Sequence, residues 1–251
     1  MDLEQFRALP EWPIILRDSW ETNAPWWQAG FTEGSDAEYE EQIKPLVRDG
    51  LRGARRVLDV GGGEGQLARV LAGDGADVVV LDSSHGQLVT ARSRGSRGVL
   101  AAGAALPFVT GSFDAVLICL VLEHVVELDE VFTEVARVLA DGGRFLLLLN
   151  HPILQTPGSG FIDDIDLGEQ YWRLGPYLQE DIQMEEVDAN VFVPFVHRPL
   201  SEYLNRAIAH GLILAQMDEP APPPGFVARA DEYQQVQSYP RLLALHFERR
   251  R

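Results

Sequence analysis

The 251-residue chain holds a single cysteine, Cys119. That excludes an internal disulfide and a cysteine-based zinc cluster. Positive charge is scarce: 21 Lys and Arg stand against 38 Asp and Glu, a net charge of −17. Nucleic-acid binding needs phosphate-neutralising Lys and Arg gathered on one face, so this balance points away from nucleic acid and toward small molecules or proteins. The one basic run, Arg249-Arg250-Arg251, closes the chain and reads as a solvated tail. Long apolar runs are also missing. The longest, about Ala115 to Leu122, is too short to span a bilayer. Met1-Asp2-Leu3-Glu4 lacks the basic start and apolar core of a signal peptide. The expectation is a soluble cytoplasmic protein without a membrane partner. Its oligomeric state is not set by anything in the composition.

Hydrophobic residues make up 46% of the chain, enough to bury a substantial core, and the length suits one domain over 1–251 with insertions. The stretch that organises it is Val57-Leu58-Asp59-Val60-Gly61-Gly62-Gly63-Glu64-Gly65-Gln66-Leu67-Ala68. It reads as a buried strand breaking into a glycine turn and restarting as a helix. Such a turn lets a ligand press against backbone. A second apolar run, Val78-Val79-Val80-Leu81, ends in Asp82.

Around these the pattern alternates. Strand 56–60, helix 65–72, strand 77–82, a helix from Ser84 to Arg94, strand 98–101, strand 114–120, a helix from Leu128 to Leu139 and strand 144–149 are expected in order. Ser84 suits an N-cap, Asp141-Gly142-Gly143 reads as a helix stop, and Asp114 reads as a residue turning the chain into its strand. Continuous apolar strands between helices argue for a parallel sheet covered on both faces. Helix 200–210 follows, then a strand from Leu212 and a final strand from Arg241 to Phe247, its antiparallel hairpin partner. The prolines at 220 and 222–224 mark a stiff exposed loop. Residues 1–50 carry Trp20, Trp26 and Trp27 and a helix from Asp36 to Val47. They read either as a core edge or as a helical lid over a ligand. Residues 151–200 read as an insertion above the sheet, with Phe161, Tyr171, Trp172, Tyr177, Phe192 and Phe195 forming either an aromatic pocket or the core of a small helical cap.

The glycine spacing separates ligand classes. A P-loop needs Gly-Lys-Ser/Thr, and Gln66 follows Gly65; the same Gln66 breaks the dinucleotide pattern counted from Gly61. What stands is Asp-x-Gly-x-Gly-x-Gly, filled by Asp59, Gly61, Gly63 and Gly65. Together with VVVLDSS at 78–84, LPFVTGSFDAVLICLVLEHV at 106–125 and VARVLADGGRFLLL at 135–148, the chain resembles the class I S-adenosylmethionine-dependent methyltransferases, specifically their small-molecule (type 11-like) group.

The resemblance implies an α/β fold: a Rossmann-like, doubly wound, mostly parallel seven-stranded sheet with a C-terminal antiparallel β-hairpin and an inserted cap. It implies S-adenosyl-L-methionine as cofactor and a small-molecule methyl acceptor on O, N or C. Gly61, Gly62, Gly63 and Gly65 would meet the amino-acid end, with Asp59 shaping the loop or accepting from the ammonium. Asp82 would take the ribose hydroxyls and Ser83 would border them. Ala102 and Gly103 would bracket the adenine with backbone, because the acidic residue frequent in the family at position 102 is replaced by alanine. Such a loss is worth about 1–3 kcal/mol. Cys119 and His124 would pack near the cofactor. His151 and His197 are the candidate bases, each with a plainer reading as a loop histidine. Trp27, Phe161, Tyr171 and Trp172 are the acceptor-pocket candidates. No metal is expected. A non-catalytic S-adenosylmethionine sensor of the same fold is the alternative.

Overall fold

The structure, a computed structural model, describes Leu9, residues 12–230 and residues 236–250; Met1–Glu4 and Arg251 lie outside these. The chain begins with α1 (Trp12–Phe31), then a π-helical turn (Tyr39–Ile43) running into α2 (Lys44–Gly50). The alternating block follows: β1 (Arg56–Val60), α3 (Gln66–Gly73), β2 (Asp77–Asp82), α4 (His85–Ser93), β3 (Arg97–Leu100), β4 (Phe113–Cys119), α5 (Leu128–Val138) and β5 (Leu139–Asn150). Next come β6 (Gly160–Asp164), β7 (Glu169–Arg173), β8 (Asp181–Asp188), β9 (Val191–His197), α6 (Leu200–Ala209), β10 (Leu212–Asp218), the short α7 (Pro224–Val227) and β11 (Leu242–Arg249).

One seven-stranded sheet runs β10-β11-β5-β4-β1-β2-β3. The pairs from β5 to β3 are parallel, whereas β11 lies antiparallel to both β5 and β10. This is the expected fold, including the closing hairpin. Its cause is visible in the strands, whose successive side chains point to opposite faces. Leu58, Val60, Val116, Ile118 and Leu147 pack on one face against Phe132 and Val135 of α5 and Ala207 of α6. Val57, Val80, Leu117, Leu146 and Leu148 pack on the other against Leu67 and Leu71 of α3 and Val47 of α2. Each such side chain taken out of water contributes about 1.5–3 kcal/mol. The strand order reverses between β1 and β4, and ligands of doubly wound sheets bind at the carboxyl ends beside that point.

Three expectations need correction. Asp141-Gly142-Gly143 does not separate a helix from a strand. Leu139 already pairs with Phe113, and the ladder resumes at Arg144 opposite Ala115. Gly142 takes a left-handed φ of 73°, so the three residues bulge out and the chain returns to the same edge. Secondly, the helix expected over 36–47 is present but runs on to Gly50 and carries a π-helical stretch at Tyr39–Ile43, while the long α1 ahead of it was not anticipated as a helix of that span.

Thirdly, the insertion is not helical. It consists of two antiparallel hairpins, β6–β7 and β8–β9. Their turns rest on Gly168 (φ 66°) and Asn190 (φ 63°), and Asn is among the few non-glycine residues that accept this conformation readily.

Asp114 accepts from the amides of Arg55 and Arg56 (3.1 and 2.9 Å), fixing the entry to β1. Among the described residues, no helix is long and apolar enough to cross a membrane, and no group of His, Cys, Asp and Glu could hold a metal ion.

Candidate functional site

The glycine turn between β1 and α3 is shaped by steric necessity. Gly61 has φ 69°, and a Cβ there would lie 2.5 Å from Val121 Cγ2. Gly65 has φ 81° as the residue capping α3, and a Cβ would meet Ser96 Oγ at 2.6 Å. Glu64, buried inside the turn, is neutralised by Arg94 at 2.6 Å and Arg69 at 2.8 Å. Gly63 donates its amide to Asp82 Oδ2 at 2.9 Å, while the Ser84 amide bonds Asp82 Oδ1 at 2.8 Å. The ends of β1 and β2 are thus joined through one carboxylate. Each of its oxygens has a second lone pair left for a ligand. Ser84 caps α4, accepting from the Gln87 amide.

Beneath the turn sits Asp59, 1% exposed, whose carboxylate oxygens make no well-formed hydrogen bond and have only the Ala68 backbone amide to offset their burial. Burial first, then the carboxylates of Asp82 and Glu64, push it up to about 7. Burial likewise raises Asp82. Tyr39 and Cys119, also buried beside Asp59, are raised well above their ordinary values for the same reason.

These groups face a cavity of about 510 Å³. Its walls include Asp59, Gly61–Gly63, Asp82, Ser83, Ala102, Gly103, Cys119 and His124. Gly65 stands behind the wall as the helix cap. The roof is α1, through Trp12, Leu16, Arg17, Trp20 and Trp27. On one flank, Glu21 accepts from Ser84 Oγ at 2.7 Å and the Gly86 amide at 3.1 Å, and Gln28 bonds Gln87 at 2.9 Å. On the other, Asn23 and Ser19 donate to the Phe192 carbonyl, and Trp26 Nε1 donates to Asp188. Trp12, Trp20 and Trp27 of α1 therefore line the cavity, and Trp27 also packs against the core formed by α2, α3 and the sheet.

A second cavity of about 270 Å³ adjoins the first and shares Trp20, Trp27, Tyr39, Leu120 and His124 with it. Its own walls add Trp26, Phe31, Val193 and Phe195, with Asp36, Gln155 and the Glu38–Arg241 pair (3.0 Å) as polar members.

His151 and His197, expected as bases, stand outside both cavities. His151 is 2% exposed; its Nε2 bonds Glu219 at 2.8 Å and its Nδ1 accepts from the Ile153 amide. Both ring nitrogens are spent on tying the 151–154 turn to the loop after β10. His197 Nε2 donates to the Tyr177 carbonyl at 2.9 Å, and burial lowers its pKa. Phe161 and Trp172 pack edge-to-face at 5.0 Å and contact Tyr239, and Tyr171 points half-exposed from β7; none lines either cavity. Trp27 is the acceptor-pocket candidate that does. The residues missed by sequence reasoning are Glu21, which latches the roof, and Tyr39, whose ring lines both cavities; each lies in the tryptophan-rich first fifty residues.

Comparison with known proteins agrees with this geometry. Residues 58–147 match the family described as a methyltransferase domain. The demethylmenaquinone methyltransferase of Beutenbergia cavernae is 40% identical over 100 residues, 39% of this chain and 42% of that protein. The ubiquinone/menaquinone biosynthesis C-methyltransferase of Dinoroseobacter shibae is 37% identical over 117 residues, 43% of this chain and 46% of that protein. The chain spans less than half the length of these curated relatives. A solved S-adenosylmethionine-dependent methyltransferase from Mesorhizobium loti superposes with a TM-score of 0.71 at 26% identity, over 82% of this chain and 96% of that one. Residues 58–147 therefore match the methyltransferase domain family, and the seven-stranded fold around them is that of the S-adenosylmethionine-dependent methyltransferases.

Proposed function

We propose that this protein is an S-adenosylmethionine-dependent methyltransferase acting on a small molecule, organised as one domain with residues 1–50 as lid and 151–200 as substrate cap. The observation that carries the reading is Asp59: a buried carboxylate whose oxygens make no well-formed hydrogen bond, at the wall of a glycine-lined cavity. A buried polar group left so is costly, and a cation seated there removes the cost. The α-ammonium of the cofactor fits that place. A Cβ at Gly62 would lie 2.5 Å from Asp59 Oδ2, so only glycine leaves the carboxylate its position. Asp82 would hold the ribose hydroxyls, and Ala102 and Gly103 the adenine edge. When bound, S-adenosylmethionine supplies an electrophilic methyl group on sulfur. The chain's contribution is to orient that group toward the second cavity and to exclude water beneath α1, and alignment alone supplies much of such a rate.

A sensor needs no chamber beside the methyl group, so the adjoining 270 Å³ cavity supports the enzyme over a non-catalytic binder. Its aromatic walls support a ring-bearing acceptor, in keeping with the relatives named for demethylmenaquinone and for C-methylation. The net charge of −17 supports an enzyme without nucleic-acid or anionic-membrane partners. The test is incubation of the protein with methyl-labelled S-adenosylmethionine and a panel of naphthols and quinols. Label transferred to a panel member, with S-adenosylhomocysteine formed in equal amount, supports the reading. Cofactor that binds yet stays intact against the whole panel and against cell-extract metabolites returns the protein to the sensor class.

A further inference from the structure

His124 stands in the wall shared by the two cavities, and its ring is held from three sides. Trp20 meets it edge-on at 4.8 Å and Phe195 at 4.5 Å. Its Nδ1 lies 2.8 Å from the Pro194 carbonyl oxygen. A carbonyl can only accept, so Nδ1 carries the proton and donates. The ring is buried, which lowers its pKa to about 4 and keeps it neutral near neutral pH. A neutral ring with hydrogen on Nδ1 has its lone pair on Nε2. No described protein group bonds Nε2. Of the other polar members of the smaller cavity, Glu38 is engaged with Arg241, Asn150 with Glu123 and Asp36 with the Tyr39 amide, which leaves the Gln155 amide as a second group able to meet a ligand there.

We propose that the smaller cavity is the acceptor site and that His124 Nε2 receives the hydrogen bond of a ring hydroxyl on the acceptor, taking its proton as the methyl group is transferred. This rests on the methyltransferase reading above and names the class of acceptor: a flat apolar ring bearing an ionisable hydroxyl. The walls supply the apolar part, with Trp26, Trp27, Phe31, Val193 and Phe195 around about 270 Å³, just under the range of about 300–1,000 Å³ usual for drug-sized ligands. One or two fused rings suit that volume. In the step, the O–H electrons pass to the ring oxygen, or through the ring to carbon. The new bond to the methyl carbon forms as the carbon–sulfur bond breaks with its electrons left on sulfur. The proton goes to Nε2, so the positive charge lost at sulfur reappears on the imidazole. Burial penalises that charge, and the proton passes on to solvent when product leaves.

The experiment is a titration of protein labelled with nitrogen-15 in its six histidines, using 1-naphthol and naphthalene as probes. The His124 signals are assigned by their loss in His124→Gln. The expected spectrum of the free protein has Nδ1 protonated and Nε2 bare; 1-naphthol moves the Nε2 signal and naphthalene does not. Affinity for 1-naphthol exceeds that for naphthalene about tenfold, the worth of one hydrogen bond to a buried acceptor. In His124→Phe, which keeps the ring packing, that preference vanishes, and in His124→Gln, which retains an acceptor oxygen, part of it returns. A protonated Nε2 in the free protein, an Nε2 signal indifferent to 1-naphthol, or a preference that survives His124→Phe overturns the proposal. S-adenosylhomocysteine is titrated into the same samples. If it binds while the naphthol preference is absent, the acceptor assignment alone fails; if it does not bind, the methyltransferase reading fails.

Discussion

The Gly63 amide donates to Asp82 Oδ2 at 2.9 Å, so the glycine turn and the end of the second strand are fastened to each other before any ligand arrives. Asp82 holds the turn, and in the proposed function it has a second task, offering its remaining lone pairs to a ribose. Asp82→Ala loses both. The expected result is a 10- to 100-fold weaker affinity for S-adenosylhomocysteine, roughly the worth of charge-assisted hydrogen bonds. Calorimetry checks it, and an unchanged affinity contradicts the ribose assignment.

Asp59 predicts a pH dependence of binding. Its folded pKa, about 7, lies above the ordinary carboxylate value because of burial and then its acidic neighbours. Folding thus favours the protonated form. The stability from this group is complete below about pH 4 and is lost as pH rises through about 7. A bound ammonium favours the carboxylate instead, so binding releases a proton below about pH 7. Affinity for S-adenosylhomocysteine is expected to rise from about pH 6 to about pH 8. Asp59→Asn flattens that rise and makes the free protein more stable at the alkaline end. Calorimetry in buffers of different ionisation enthalpy measures the released proton directly.

Glu21 latches α1 over the larger cavity through Ser84 and Gly86. The Ser84 hydroxyl, then the Gly86 amide, hold its pKa below the usual value. A depressed acid supports the latch above the unfolded pKa and loses it as pH falls through the folded one. Glu21→Ala is expected to speed amide exchange across Trp12–Phe31 while leaving exchange in β1 and β4 unchanged. Equal protection of α1 in both proteins removes the latch from the account.

Arg198 is 1% exposed and donates to the carbonyls of Leu122, Val125 and Val126 at 3.1, 2.6 and 3.1 Å. It pins the loop that carries His124. Arg198→Met keeps bulk but leaves the Val125 oxygen without a donor, a loss of about 1–3 kcal/mol, while the Leu122 and Val126 oxygens keep the Val125 and Leu128 amides. The expected outcome is a fall in unfolding temperature of about 4–10 °C, at about 2–4 °C per kcal/mol for a chain of this size. A shift within about 1 °C contradicts the pinning role.

The sheet, and the gathering of the glycine turn, Asp59 and Asp82 around one cavity, were legible because both are written locally. A short apolar run such as Val78–Leu81, bounded by turn residues, reads as a buried strand, and Asp59 and Asp82 stand at the carboxyl ends of the strands whose turns they serve. His151 and His197 show where this stops. Their place after a strand was readable; the direction of their rings was not, because it is set by Glu219 and the Tyr177 carbonyl, 68 and 20 residues away. The roof was half legible. Trp20 and Trp27 announced an aromatic cluster, but its seat over the cavity depends on Glu21 reaching Ser84, across 63 residues. The hairpins of the insertion were hidden by their acidic composition, although Val191, Val193 and Phe195 alternate as a strand does.

The central claim is that the turn at Gly61–Gly65, with Asp59 and Asp82, holds S-adenosylmethionine. Titration of the purified protein with S-adenosylmethionine and, separately, with NAD tests it most directly. The account predicts saturable binding of S-adenosylmethionine at one site per chain and no binding of NAD. Binding of NAD, or of neither ligand, would contradict it.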